Sequence, residues 1–156
     1  MPVTHSAMSL HLQYRLWIAE LNFDINVLRI FGDYLTELRI KRKEAEVKSK
    51  SENFEKQFAV LRGEIDEIRH EMQLGKMKLG AFARDAKPFD FKEFNQENQT
   101  PLKKRLTAYR NSFKKLKQDF EEFFHSQVFL ILFKRYSSPM ISPQVSTAPM
   151  VTPSIP

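Results

Sequence analysis

Two Glu-x-x-His tetrads, Glu67-Ile68-Arg69-His70 and Glu122-Phe123-Phe124-His125, match a known metal chemistry more closely than any other spacing in the chain. On a helix, such a tetrad sets a carboxylate and an imidazole on one face. Two of them, with two further inward glutamates, can hold a dinuclear metal centre inside a helical bundle. The phase of the surrounding apolar residues argues against that chemistry here. Ile68 and Met72 define the inward face of their segment, which turns Glu67 and His70 outward. Leu116, Phe120 and Phe123 do the same to Glu122 and His125. A metal-binding four-helix-type bundle is therefore the third functional expectation, and no metal ligand is assigned.

Asp24 is a carboxylate in the most apolar stretch of its segment. Buried, it must find a donor, a cation or water, or hold its proton. No serine or histidine stands at a diagnostic spacing from it, so a register-fixing structural role is expected rather than a general base. His11 has Tyr14 and Arg15 at the positions where a second metal ligand would stand. The four glycines (32, 63, 75 and 80) form no phosphate-binding loop. No catalytic residue and no cofactor are assigned, and an enzyme is not expected.

Cations form the remaining polar signal. Arg69 and Lys76 in one segment, and Lys103, Arg110 and Lys117 in another, fall on flanks that would face each other if the two segments ran antiparallel with numbers totalling about 186. Like charges across a seam invite an anion. These five residues are the candidate anion-binding set, for nucleic acid or another polyanion. Long basic side chains also cover apolar surface with hydrated heads, and this second reading is favoured. The interleaved aromatics are at core spacing and build no platform for bases.

The elements that position these residues follow from apolar periodicity. Tyr14, Trp17, Leu21, Leu28, Phe31, Leu35 and Leu38 keep a 3-4 spacing, as do Phe54, Phe58, Leu61, Ile65, Ile68, Met72, Leu79 and Phe82. Leu102, Leu106, Tyr109, Phe113, Leu116, Phe120 and Phe123 form a third series. Such seams mark long helices in a bundle, not strands. With only four glycines in 156 residues, turns are few. The expected fold is all-α: an antiparallel bundle of three long heptad-patterned helices, about 9–48, 51–83 and 100–130. Leu21, Leu28, Phe58, Leu61, Ile65, Phe113 and Phe120 are its expected centre.

The boundaries follow from local chemistry. Residues 1–8 are expected to be flexible and 9–134 to form the bundle. The polar run from Lys48 to Asn53, with Ser49 and Glu52 as a capping box, separates the first two helices. That break sets an antiparallel register totalling about 97, with Glu20 against Lys78 and Arg39 near Glu55. Gly75, in the second seam, either admits a close neighbour or weakens its helix. Residues 84–99 form a folded connector: Pro88 interrupts helix, Asp90 with Glu93 caps one short turn, and Phe89, Phe91 and Phe94 cover part of the bundle. Thr100-Pro101 is read as the start of the third helix. Residues 135–156 hold five of the eight prolines, and no charge occurs from Ser137 onward, so a disordered tail is expected.

Beyond its seam, the first helix carries a second apolar stripe: Leu16, Phe23, Val27, Ile30 and Tyr34. Five large apolar residues exceed what two neighbouring helices need. Either the phenylalanine connector folds over them or a second chain does. This stripe is the candidate interface. The partner is expected to be a second copy in a homodimer, or another protein. Nucleic acid is not favoured, and a membrane is not expected, because the longest apolar run, Val128 to Phe133, is six residues. The chain has no cysteine and a net charge of +6. With no basic-then-apolar leader at its start, it is assigned to the cytoplasm. The functional expectation is a non-enzymatic scaffold or adaptor that works by protein–protein association.

Overall fold

The first two helices fold back on each other through three residues that include neither glycine nor proline. In a computed structural model, which describes residues 2–84 and 89–136, helix α1 spans Pro2–Lys41 and α2 spans Ala45–Arg84. Arg42 closes α1 with its amide on the Leu38 carbonyl at 2.8 Å, and Lys48 N–H reaches the Glu44 carbonyl at 3.0 Å to open α2. Between them the Arg42 guanidinium grips the Glu44 carboxylate at 2.7 and 3.0 Å. The short helix α3 is Phe91–Phe94, a π-helical turn is Asn95–Gln99, and α4 is Thr100–Tyr136. The described residues are all-α with three long helices, as the heptads require, and contain no strand. The expected tail lies outside the described residues from Ser137 onward, as does Pro88.

Several boundaries differ from the sequence expectation. The α1 helix begins at Pro2 rather than Ser9. Nothing after Pro2 breaks helix, and proline suits the first helical position. The α1–α2 break is not at Ser49–Glu52. Those residues lie inside α2, because Ser51 is a fully buried seam position that continues the 3-4 spacing back from Phe54 to Val47. A small polar residue in the seam looked like the end of it.

The earlier turn moves the hairpin register. Phe31 packs on Phe58 with ring centroids 6.0 Å apart, and Tyr14 lies against Gly75, both pairs totalling 89 rather than 97. Leu38 with Ser51, Leu28 with Leu61, Leu21 with Ile68 and Leu10 with Leu79 share that total and are all buried. Glu20 is therefore not opposite Lys78. Arg39 and Glu55 do pair, at 2.6 Å, because two long side chains span the difference.

The described residues divide into two compact units after Lys117. The first unit holds α1, α2, α3 and the start of α4. The expected short cap is present, with Glu93 N–H donating to Asp90 Oδ1 at 3.1 Å. Phe89 and Phe94 are buried, linking Phe82 to Phe89 (5.1 Å between centroids), Phe89 to Phe94 (5.6 Å) and Phe94 to Tyr14 (6.4 Å). These rings cover the seam end and not the second stripe of α1, and Phe91 is exposed. Helix α4 opens at Thr100, as expected, but Thr100 is not a cap outside it. It is already helical (φ −62°, ψ −48°), and its N–H bonds the Asn95 carbonyl, the wide step of a π turn. A proline inside a helix clashes with the carbonyl four residues back, and the wider turn before Pro101 relieves that contact. Phe113 is half-buried rather than central, while the other expected core residues are buried. In the second unit, Phe120 and Phe123 are buried and Phe120 stacks on Phe124 at 5.9 Å.

Gly75 is a site of close approach. A Cβ there would stand 2.9 Å from the Tyr14 Cζ. That ring is fully buried and wedged between Trp17 and Phe94, so it has little freedom to yield. Gly63 faces open space. Glycine to alanine in an open helical position stabilises by about 1 kcal/mol, whereas overpacking a core costs about 1–3 kcal/mol. Thermal melts should therefore move in opposite directions, up for Gly63→Ala and down for Gly75→Ala. An equal rise in both would show that Tyr14 moves aside freely.

Candidate functional site

On the outer face of α1, opposite its seam, large apolar side chains meet solvent. Leu16 is 56% exposed, Phe23 67%, Ile30 44% and Tyr34 51%, and Val27 is half-buried. The stripe reaches one turn further toward the N-terminus than the sequence reading placed it, to exposed Leu12, and exposed Ala19 lies within it between Leu16 and Phe23. Leu12 precedes Leu16 by one helical turn, a signal that was present in the spacing. Helix α1 is apolar on two sides: the 14-17-21-24-28 series is buried and faces α2 and α4, whereas Leu16, Phe23, Ile30 and Tyr34 of the second series are exposed.

Behind this face lies the core's polar node. Asp24 is buried, and its Oδ2 accepts a hydrogen bond from the Tyr109 hydroxyl of α4 at 2.7 Å. Burial pushes the Asp24 carboxyl above its ordinary range. The Tyr109 bond opposes that, Glu20 adds to it, and Lys117 and Arg110 oppose it. The Tyr109 hydroxyl is pushed far above its ordinary range, first by burial and then by its bond to Asp24, so it remains a donor. Tyr14 is pushed up to about 12 by burial. The expected structural role for Asp24 has a concrete partner, which the sequence alone did not name.

The cations settle mainly on carboxylates. Arg110 grips Glu20 through Nε at 2.8 Å and Nη2 at 2.6 Å. Arg69 donates to Asn22 Oδ1 at 2.8 Å and to Asp66 at 3.1 Å. Arg105, outside the candidate set, bridges α2 by donating to Glu71 at 3.0 Å and to Glu67. Those last contacts total 172 and 176, so the register of 186 that set Arg69 against Lys117 and Lys76 against Arg110 does not form. Lys103 and Lys117 are exposed, and Lys76 is half-buried. What the sequence reading missed is that each arginine's partner depends on register, which spacing within one helix does not give.

Glu67, His70, Glu122 and His125 are exposed, as their phase requires, and His11 is half-buried. Among the described residues, no three His, Asp or Glu side chains gather closely enough to hold a metal ion. Beside α3, residues including Lys78, Phe82, Asp90 and Phe94 line an open cleft of about 310 Å³. Lys78 there is held by Asn98 at 3.0 Å. No described helix is long and apolar enough to cross a membrane. Searches of family models, of curated proteins and of solved structures find no match to this chain.

Tyr109→Phe leaves the Asp24 carboxylate buried without its donor. Urea unfolding at pH 7 should show a loss of about 1–3 kcal/mol, largely recovered when Asp24→Leu is added. Asp24 also fixes a sign for pH. Its folded-state pKa is raised, so the fold holds this proton more tightly than the unfolded chain. The corresponding stability is complete below the ordinary carboxylate range and is lost as pH rises through the raised value. The stability of the wild-type chain relative to Asp24→Asn should thus decrease with rising pH across that window. A difference that grows instead would reverse the assignment.

Proposed function

We propose that this protein is a non-enzymatic helical scaffold or adaptor that works by protein–protein association, with the outer stripe of α1 as its contact surface. The exposure of Leu16, Phe23, Ile30 and Tyr34 on one face carries this reading. Isolated exposed apolar residues are ordinary, but a contiguous row of large ones on a single helix marks an interaction site. Several of the groups that might have supported another chemistry are held within the fold. Asp24 holds Tyr109, Arg110 holds Glu20, and Glu67 holds Arg105. The exposed lysines of the candidate set on α4, Lys103 and Lys117, stand about four helical turns apart. A heptad-patterned bundle suits the role, since its rigid helices hold a flat apolar row at fixed spacing.

A photo-crosslinking amino acid at position 23, introduced in the cells that make the chain, tests the reading. Irradiation should give a discrete covalent adduct. Ile30→Glu, which puts one charge in the stripe and leaves the seam alone, should abolish that adduct while the circular-dichroism spectrum of the purified chain stays helical. Absence of any adduct at position 23, with strong adducts at a control position on α4, would remove this surface from consideration.

A further inference from the structure

The outer stripe has a symmetry that singles out its occupant. Leu12, Leu16, Ala19, Phe23, Val27, Ile30 and Tyr34 follow one another at steps of 4, 3, 4, 4, 3 and 4 residues. That series reads the same in both directions about Phe23. An arbitrary partner requires no such property. A second copy lying antiparallel does, because a two-fold axis maps each position onto its mirror in the sequence. With the axis at Phe23, Leu12 meets Tyr34, Leu16 meets Ile30, Ala19 meets Val27, and Phe23 meets itself. Large residues then face large ones toward the ends, and small Ala19 faces Val27 beside the axis, where Phe23 needs room. The two 11-residue spans also keep both stripes nearly straight, so they stay in contact without strong supercoiling.

Charge agrees with this register. Arg15 and Asp33 are five helical turns apart and so border the same side of the stripe. In an antiparallel pair, like flanks face each other, so Arg15 of one chain comes within one turn of Asp33 of the other, twice by symmetry. Arg15 is exposed and makes no ion pair among the described residues. Asp33 holds only a loose contact to Arg29, at 3.5 Å between two mostly exposed side chains. A parallel pair would turn this flank toward the partner's opposite flank, so Arg15 and Asp33 would not meet. Asn22 and Asn26, on the same flank, also meet each other's counterparts in the antiparallel arrangement.

We infer that the α1 stripe is a self-association surface, on which a second copy of this chain docks antiparallel with its two-fold axis at Phe23. This rests on the association reading above and names the partner for it. The chain contains no cysteine, which makes a direct test simple. Ala19→Cys and Val27→Cys are small, near-isosteric changes at paired positions. Light scattering over a wide concentration range should show the wild-type chain reaching twice its 18.4 kDa mass. When the two variants are mixed and oxidised, the 19–27 disulfide should dominate, and either variant oxidised alone should remain mostly uncrosslinked. Phe23→Glu, which sets two like charges together on the axis, should weaken the dimer by at least about 100-fold. Prominent 19–19 and 27–27 products would show a parallel pair and overturn the inference. A strict monomer would overturn it as well. An adduct to some other protein at position 23 in the crosslinking experiment would then leave the association reading standing without it, whereas a monomer with no adduct would remove both.

Discussion

A carboxylate in an apolar core has few ways to exist, and that constraint organises the first unit. Asp24 interrupts the α1 seam where an apolar residue would otherwise stand, and the Tyr109 hydroxyl of α4 donates to it. The apolar contacts around it are tolerant of sliding, since one leucine packs against another much as against its neighbour. The hydrogen bond is not tolerant. At 2.7 Å it fixes how far α4 lies along α1, and a shift of one turn would leave a buried charge without a donor. The Arg110 fork on Glu20 lies one residue further along α4 and reinforces the same setting from the surface.

The hairpin is fixed by shape instead. Its constant register of 89 runs from the Leu38 and Ser51 layer at the turn to the Leu10 and Leu79 layer at the other end. Near that far end the Tyr14 ring occupies space that only a glycine leaves. Between the two, Phe31 and Phe58 fill the layer with rings. Ion pairs such as Arg39 with Glu55 border the seam and contribute roughly 0–1 kcal/mol each. They agree with the register without determining it, which is why a register eight residues away also looked acceptable on charge alone.

The three helices and most of their buried faces were legible because heptad spacing is a property of each segment by itself. The turns were harder to read. Ser51 concealed the true start of α2 because a seam tolerates a small polar residue near its end. Thr100-Pro101 marked the start of α4, while the wide turn that leads into it leaves no mark in composition. The outer stripe was visible, since an excess of apolar residues on one helix needs no tertiary knowledge. The facing of like charges expected between Arg69 and Lys117 does not occur, because the partner of each arginine depends on a register that only the assembled helices define. The connector went only partly as expected, its rings settling on Tyr14 and leaving the stripe open.

The π-helical turn at Asn95–Gln99 carries a consequence for how this chain can change in length. Buried Phe94 and Gln99 are five residues apart, and Leu102, Leu106 and Tyr109 then resume the 3-4 rhythm. The turn has absorbed one residue more than an ordinary helix holds. Loss of a single residue from the exposed Gln96-Glu97 pair would close it into regular helix with every later core residue still in phase. Gain of one would have nowhere to go except into a rotation of about 100° of everything that follows. The proline at 101 complicates the first route, because a regular helix would restore its clash with the carbonyl four residues earlier. Shortening of this segment therefore fits the fold only together with replacement of Pro101, whereas lengthening has no such companion.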